Sequence, residues 1–212
     1  MARQLLIPNL MKANQLILLL IFFSSSQCLV QAQDRPKLQY TVGAGGSHDP
    51  NNMLYGLNFS NELNYRLGKR TSLNAGLLFY QSIGSFENDN FAPGQKNRNH
   101  SSGFFINPSF KYRLIQRPSE FNLSFALGPT LQLGGEGYIA NINFFNPEDG
   151  PNLASFTDSY QRIGIFAELE AEWKTKNPNV RNAVSLAATG FDEYLRWYVH
   201  ASYKIRFGIG KK

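Results

Sequence analysis

Few residues in this 212-residue chain are spaced to do chemistry together. The sharpest arrangement is His200-Ala201-Ser202. On an extended strand, residues two apart share a face and stand roughly 7 Å from each other. A histidine and a serine would then be presented side by side, the pairing that a serine nucleophile and its general base need for acyl transfer. Tyr203 follows, however, and no Asp or Glu comes after it to orient the imidazole. A second arrangement joins His48-Asp49 to His100-Ser101-Ser102, all between strands, where such residue types are also ordinary loop formers. The three histidines are isolated and show no metal-ligand spacing, so no metal and no cofactor is expected. Gly43-Ala44-Gly45-Gly46 lacks the Lys and the helix of a phosphate loop and reads as strand-end glycine. Lys and Arg occur as scattered singles, which excludes a nucleic-acid patch. The expectation is a chain without catalytic residues, with His200 and Ser202 as the alternative.

The elements that would carry these residues follow from composition and periodicity. The chain is 42% hydrophobic, 14% aromatic and only 17% charged. That is too apolar for a disordered tail, while its negative mean hydropathy excludes a bundle of membrane helices. The one long apolar run, Leu16 to Phe23, is far short of the roughly 20 residues that cross a bilayer as a helix. Lys12 precedes it and Val30-Gln31-Ala32 follows, which reads as a secretory signal peptide over 1–32, with Met1 or Met11 as the start. Cys28 also follows the run, but Gln27 stands where a lipoprotein signal needs a small residue. Cleavage after Ala32 would leave one domain over 33–212. Arg3, Lys12 and the only cysteine depart with the segment, which carries no acid, so the net charge falls from +6 to +4. No disulfide or thiolate site is then available.

Alternation of apolar and polar residues runs through almost all of 33–212 and predicts strands. It is cleanest over 121–133, 163–173 and 195–207, and weaker over 37–45, 54–67, 71–82, 103–115 and 180–190. These eight strands are longer than the roughly 5–6 residues usual in soluble proteins, and near the length that a tilted strand needs to cross a bilayer. Their connections alternate. Short turns are expected at 68–70, 116–119 and 175–179; longer loops at 46–53, 83–102 and 134–160, with a tight exception at 191–194. Long loops on one rim and short turns on the other are what a membrane barrel shows. The expected fold is all-β, an eight-stranded antiparallel transmembrane β-barrel.

If the apolar face meets lipid, the sheet must close, because open edges cannot be left in hydrocarbon. The polar face then points into a lumen that eight strands leave just wide enough for side chains. The inward set holds Glu62, Arg66, Lys111, Arg113, Glu168, Glu170, Glu172, Arg181, Arg196, His200, Lys204 and Arg206. The strand-six acids and the strand-eight bases would pair across it, since an unpaired buried charge costs several kcal/mol. Aromatic girdles are expected at both rims: Tyr40, Tyr65, Tyr112, Phe121, Trp173, Tyr203 and Phe207 on the turn side, and Tyr55, Phe79, Phe104, Trp197 and Tyr160 on the loop side. A soluble ligand-binding barrel, the competing reading, would instead put Leu127 and its neighbours inside.

In this pattern the chain resembles the small outer-membrane β-barrel superfamily, in particular the outer-membrane β-barrel-domain proteins common in Bacteroidetes. The last strand, Val199 to Phe207, looks like the assembly signal of such proteins, although Gly208-Ile209-Gly210-Lys211-Lys212 follow the aromatic that usually ends them. The resemblance implies residence in the outer membrane, contact with lipid and lipopolysaccharide, handling by the barrel-assembly machinery, and a membrane or secretion complex as partner. His200 and Ser202 are similar to the His-x-Ser element of outer-membrane lipid A deacylases. Those enzymes, however, face the pair to lipid, follow the Ser with Asn and supply an acidic partner. The His48, Asp49 and His100 loops similarly resemble those of a palmitoyl-transferase-like enzyme. Phe86, Phe91, Tyr138, Phe144, Phe145 and Phe156 lie in the long loops and would either anchor a partner or pack over the barrel mouth.

Overall fold

The structure, a computed structural model, describes residues 37–86, 99–116, 121–141, 153–192 and 196–209. The expected signal segment lies outside these, as do Phe91, Phe144 and Phe145. Eight strands form: β1 (Leu38–Asp49), β2 (Leu54–Arg66), β3 (Thr71–Ser85), β4 (His100–Gln116), β5 (Phe121–Asn141), β6 (Leu153–Lys174), β7 (Val180–Phe191) and β8 (Arg196–Ile209). Each pairs antiparallel with its sequence neighbours. β1 closes on β8, from Leu38↔Ile209 to His48↔Val199, so the sheet is a closed barrel without a barrel edge.

The alternation in the sequence is what sorts the two faces. Along β2 every even residue from Leu54 to Arg66 is buried and every odd one from Tyr55 to Tyr65 is exposed. The outside carries Leu57, Leu63, Leu73, Leu77, Phe110, Leu127, Leu169 and Leu186, all exposed. The inside buries Asn, Ser, Thr, Glu, Lys and Arg. This reverses a soluble barrel, and Leu127, half exposed on the outer face, is not a lumen residue.

Three departures from the sequence reading concern boundaries. A loop is expected over 46–53, but β1 runs on to Asp49 and the glycine run lies within the strand. The reason is packing: a Cβ at Gly45 would lie 1.9 Å from the Ala201 carbonyl oxygen, so only glycine lets β1 approach β8 there. Most of the loop expected over 134–160 is a long hairpin, with Asn141 paired to Leu153. β4 begins at His100 rather than 103.

Gly128-Pro129 marks an interrupted ladder. Pairing between β4 and β5 stops after Ile106↔Leu131 and resumes at Phe110↔Leu127 in unchanged register. Pro108 and Pro129 both fall in the gap, and neither has an N–H to donate. Inside the barrel, the Thr130 hydroxyl donates to Asn107 Oδ1 at 2.6 Å across the same break.

Candidate functional site

The lumen is built in layers of different chemistry. At the turn rim, Arg66 Nε donates to the Gly68 carbonyl at 3.1 Å and Arg113 Nη1 to the Lys69 carbonyl at 3.0 Å. Both guanidiniums therefore bind turn backbone.

Next comes a layer of four acids and four bases: Glu62, Glu168, Glu170 and Glu172 with Lys111, Arg181, Lys204 and Arg206. The Arg206 guanidinium grips Glu170 at 2.8 and 2.9 Å, contacts Glu172, and reaches Thr41 Oγ1 at 3.0 Å. Lys204 lies between Glu62 and Glu168. Lys111 approaches Glu170 at 2.9 Å and Glu168 at 3.3 Å, and Arg181 meets Glu172 at 2.5 Å. All eight are buried. Their spacing follows from strand geometry, since Glu168, Glu170 and Glu172 are successive inward positions of β6, as Lys204 and Arg206 are of β8. Glu62, Glu168 and Glu170 bring carboxylate oxygens close enough for a metal ion, but two ammonium groups already occupy that space.

A void of about 10 Å³ above this layer, room for about one water, is bordered by Ser60, Asn74, Asn107, His200 and Lys204. The next layer is aromatic. Tyr80, Phe105, Phe191 and Tyr198 bury their rings with Leu78 in the lumen. The Phe105 and Tyr198 rings are 5.3 Å apart at 70°, and His200 lies parallel to Tyr198 at 6.3 Å. The sequence reading missed this plug. Its signal was available, because these rings fall at the inward parity of their strands.

The loop rim closes with a polar cluster. Glu136 accepts from Arg196 Nη1 at 2.6 Å and from Asn52 Nδ2 at 2.9 Å, and Arg162 lies 3.8 Å away. Arg162 also rests over the Tyr160 ring at 3.6 Å. Asp49 accepts from the Asn51 and Asn52 backbones and from the Asn52 side chain at 2.9 Å.

Two expected placements need correction. Arg196 does not join the strand-six acids; it sits ten residues before Arg206 on β8 and pairs with Glu136 at the opposite rim. Tyr160 does not face outward. It shares parity with Arg162, Phe166 and Glu168, so its hydroxyl points inward, 3.4 Å from that of Tyr198. Of the other girdle residues, Tyr40, Tyr65, Tyr112, Trp197, Tyr203 and Phe207 are exposed on the outer face. Trp173 is half-buried, its ring 6.4 Å from that of Tyr203.

His200, Ser202, His48, Asp49 and Ser101 each take part in separate hydrogen bonds. His200 Nδ1 and Ser47 Oγ share a hydrogen bond of 2.7 Å, while Ser202 Oγ donates to Asn58 Oδ1 at 2.7 Å. His200 and Ser202 thus share a face but not a bond, and both face the lumen. His48 Nδ1 meets the Leu54 carbonyl at 3.1 Å, Asp49 organises the turn, and the Ser101 N–H donates to Ser82.

No family model matches the chain, and no curated protein is similar to it in sequence. Solved structures do match. A major outer membrane protein from Thermus thermophilus superposes with a TM-score of 0.53 at 11% identity, over 80% of this chain and 98% of that one. The N-terminal β-barrel domain of Pseudomonas aeruginosa OprF gives 0.51 at 11%, over 82% and 100%. The fold is that of the small outer-membrane barrels. P. aeruginosa OprG, at 0.50 and 10% identity over 84% and 100%, shares this barrel architecture.

Proposed function

We propose that residues 1–32 are removed on export and that the barrel spans the outer membrane as a sealed, non-enzymatic module whose loop rim meets partners outside the cell. The observation that carries this reading is the inverted distribution of polarity, with charges inside and leucine, valine, isoleucine and aromatic residues outside on a closed sheet. A soluble ligand-binding barrel would have the opposite faces. The ionic and aromatic layers bury their side chains across the lumen, which argues against a pore. The separate hydrogen bonds of His200 and Ser202 argue against hydrolysis.

Lipid and lipopolysaccharide would surround the apolar band, and the barrel-assembly machinery would read β8. A membrane or secretion complex would meet the loop rim, in keeping with a barrel of the kind common in Bacteroidetes. Fractionation tests the location: the protein should be recovered from outer membranes by detergent alone and show heat-modifiable gel mobility. Recovery in the soluble periplasmic fraction would end the reading. Release of acyl chains from lipid A, abolished by Ser202→Ala, would replace it with an enzyme.

A further inference from the structure

β6 is paired with β5 along its whole length, from Leu153↔Asn141 to Trp173↔Phe121. On its other side, pairing with β7 begins only at Gly164↔Phe191, because the β7–β8 hairpin turns there. Ser155–Tyr160 therefore runs past the end of β7 with one edge unpaired by any described residue. Its side chains from Ser155 to Ser159 are all exposed. Proteins commonly blunt such an edge with Lys, Pro or a bulge, since a row of free N–H and C=O groups is a template for another strand. This edge carries neither Lys nor Pro, and the register with β5 runs through it without a shift.

The surroundings select what could pair there. Tyr138 and Phe156 are opposite one another, with rings stacked 5.2 Å apart at 17°, and form an apolar step beside the edge. Asp158 is exposed and sits opposite Glu136, and the residues joining β5 to β6 add Glu148 and Asp149 but no base. Arg162 is drawn to Glu136 and Tyr160. In a chain of net charge +6 this hairpin is a local acidic region. Polyanionic lipopolysaccharide is repelled by it, whereas a backbone edge that no described residue pairs is complementary to an extended polypeptide.

We propose that the Ser155–Tyr160 edge of β6 takes up an extended, basic polypeptide segment of a partner protein by strand addition. This rests on the reading that the loop rim faces outward to partners.

The test uses the full barrel in lipid nanodiscs and a fluorescent synthetic peptide of about eight residues alternating Lys and Val. Binding is expected by anisotropy, with slowed amide exchange over 155–160 and none at Thr71–Ser85. The same peptide N-methylated at alternate backbone nitrogens should fail to bind, as should a peptide alternating Glu and Val. Asp158→Lys, at an exposed site that leaves heat-modifiable mobility intact, should weaken binding about fivefold at low salt. Equal binding of the N-methylated peptide would overturn strand addition. Unchanged exchange over 155–160 would overturn the site, and protection of that edge by self-association without peptide would make the occupant a second copy. Failure to find the protein in outer membranes would sink the proposed function alone, because nanodisc binding is measured independently of location.

Discussion

The two halves of the lumen are filled by opposite means. On the turn side, the ionic layer balances four acids against four bases, each held by partners on other strands. On the loop side, Tyr80, Phe105, Phe191 and Tyr198 fill the same cross-section with rings. The ionic layer depends on charge count, because a buried charge that loses its partner costs more than the pair contributed. The aromatic layer depends on volume, because a ring contributes through packing that a similar shape partly restores. A lumen this narrow can thus be closed by either chemistry, and the two should fail differently.

Glu170 gives the largest contrast. Glu170→Gln keeps the shape but leaves Lys111 and Arg206 short of a carboxylate, and should destabilise the barrel by about 3–5 kcal/mol in urea unfolding from lipid. A loss under ~1 kcal/mol would mean that charge balance does not hold this half together. Phe105→Ala should cost about 3 kcal/mol by leaving a cavity, whereas Phe105→Leu should cost about 1 kcal/mol. Equal losses for the two variants would remove the volume argument. Neither Phe105 variant should conduct in planar bilayers, because the ionic layer below still closes the lumen; steady current through Phe105→Ala would show the aromatic layer to be the sole seal. Arg196→Ala should be mildest, at about 1 kcal/mol or less, since this partly exposed pair with Glu136 is open to solvent screening.

The same contrast explains what the sequence could reveal. Strand number and face assignment were legible because every second residue along 54–66 or 195–207 must satisfy one environment. Parity also placed Glu62, Lys111, Glu168, Glu170, Glu172, Arg181, Lys204 and Arg206 on one face, but partners depend on stagger between strands distant in sequence, which alternation does not carry. Arg196 shows the consequence: it has the right face and the wrong end of the barrel. The hairpin beyond the rim was illegible for another reason. Ser155 to Ser159 are exposed on both faces, so nothing imposes alternation on them, and their Ser and Asp content, with Gly134-Gly135-Glu136-Gly137 opposite, reads as loop.

The central claim is that the apolar face of the closed sheet meets lipid. It is tested most directly by nitroxide labels introduced one at a time along β8, at Val199, Ala201, Ser202, Tyr203 and Ile205, in a chain whose one native cysteine is Cys28. The account predicts high accessibility to lipid-dissolved oxygen at Val199, Ala201, Tyr203 and Ile205, and low accessibility at Ser202. Outward positions reached instead by a water-soluble nickel reagent, along the whole strand, would contradict it.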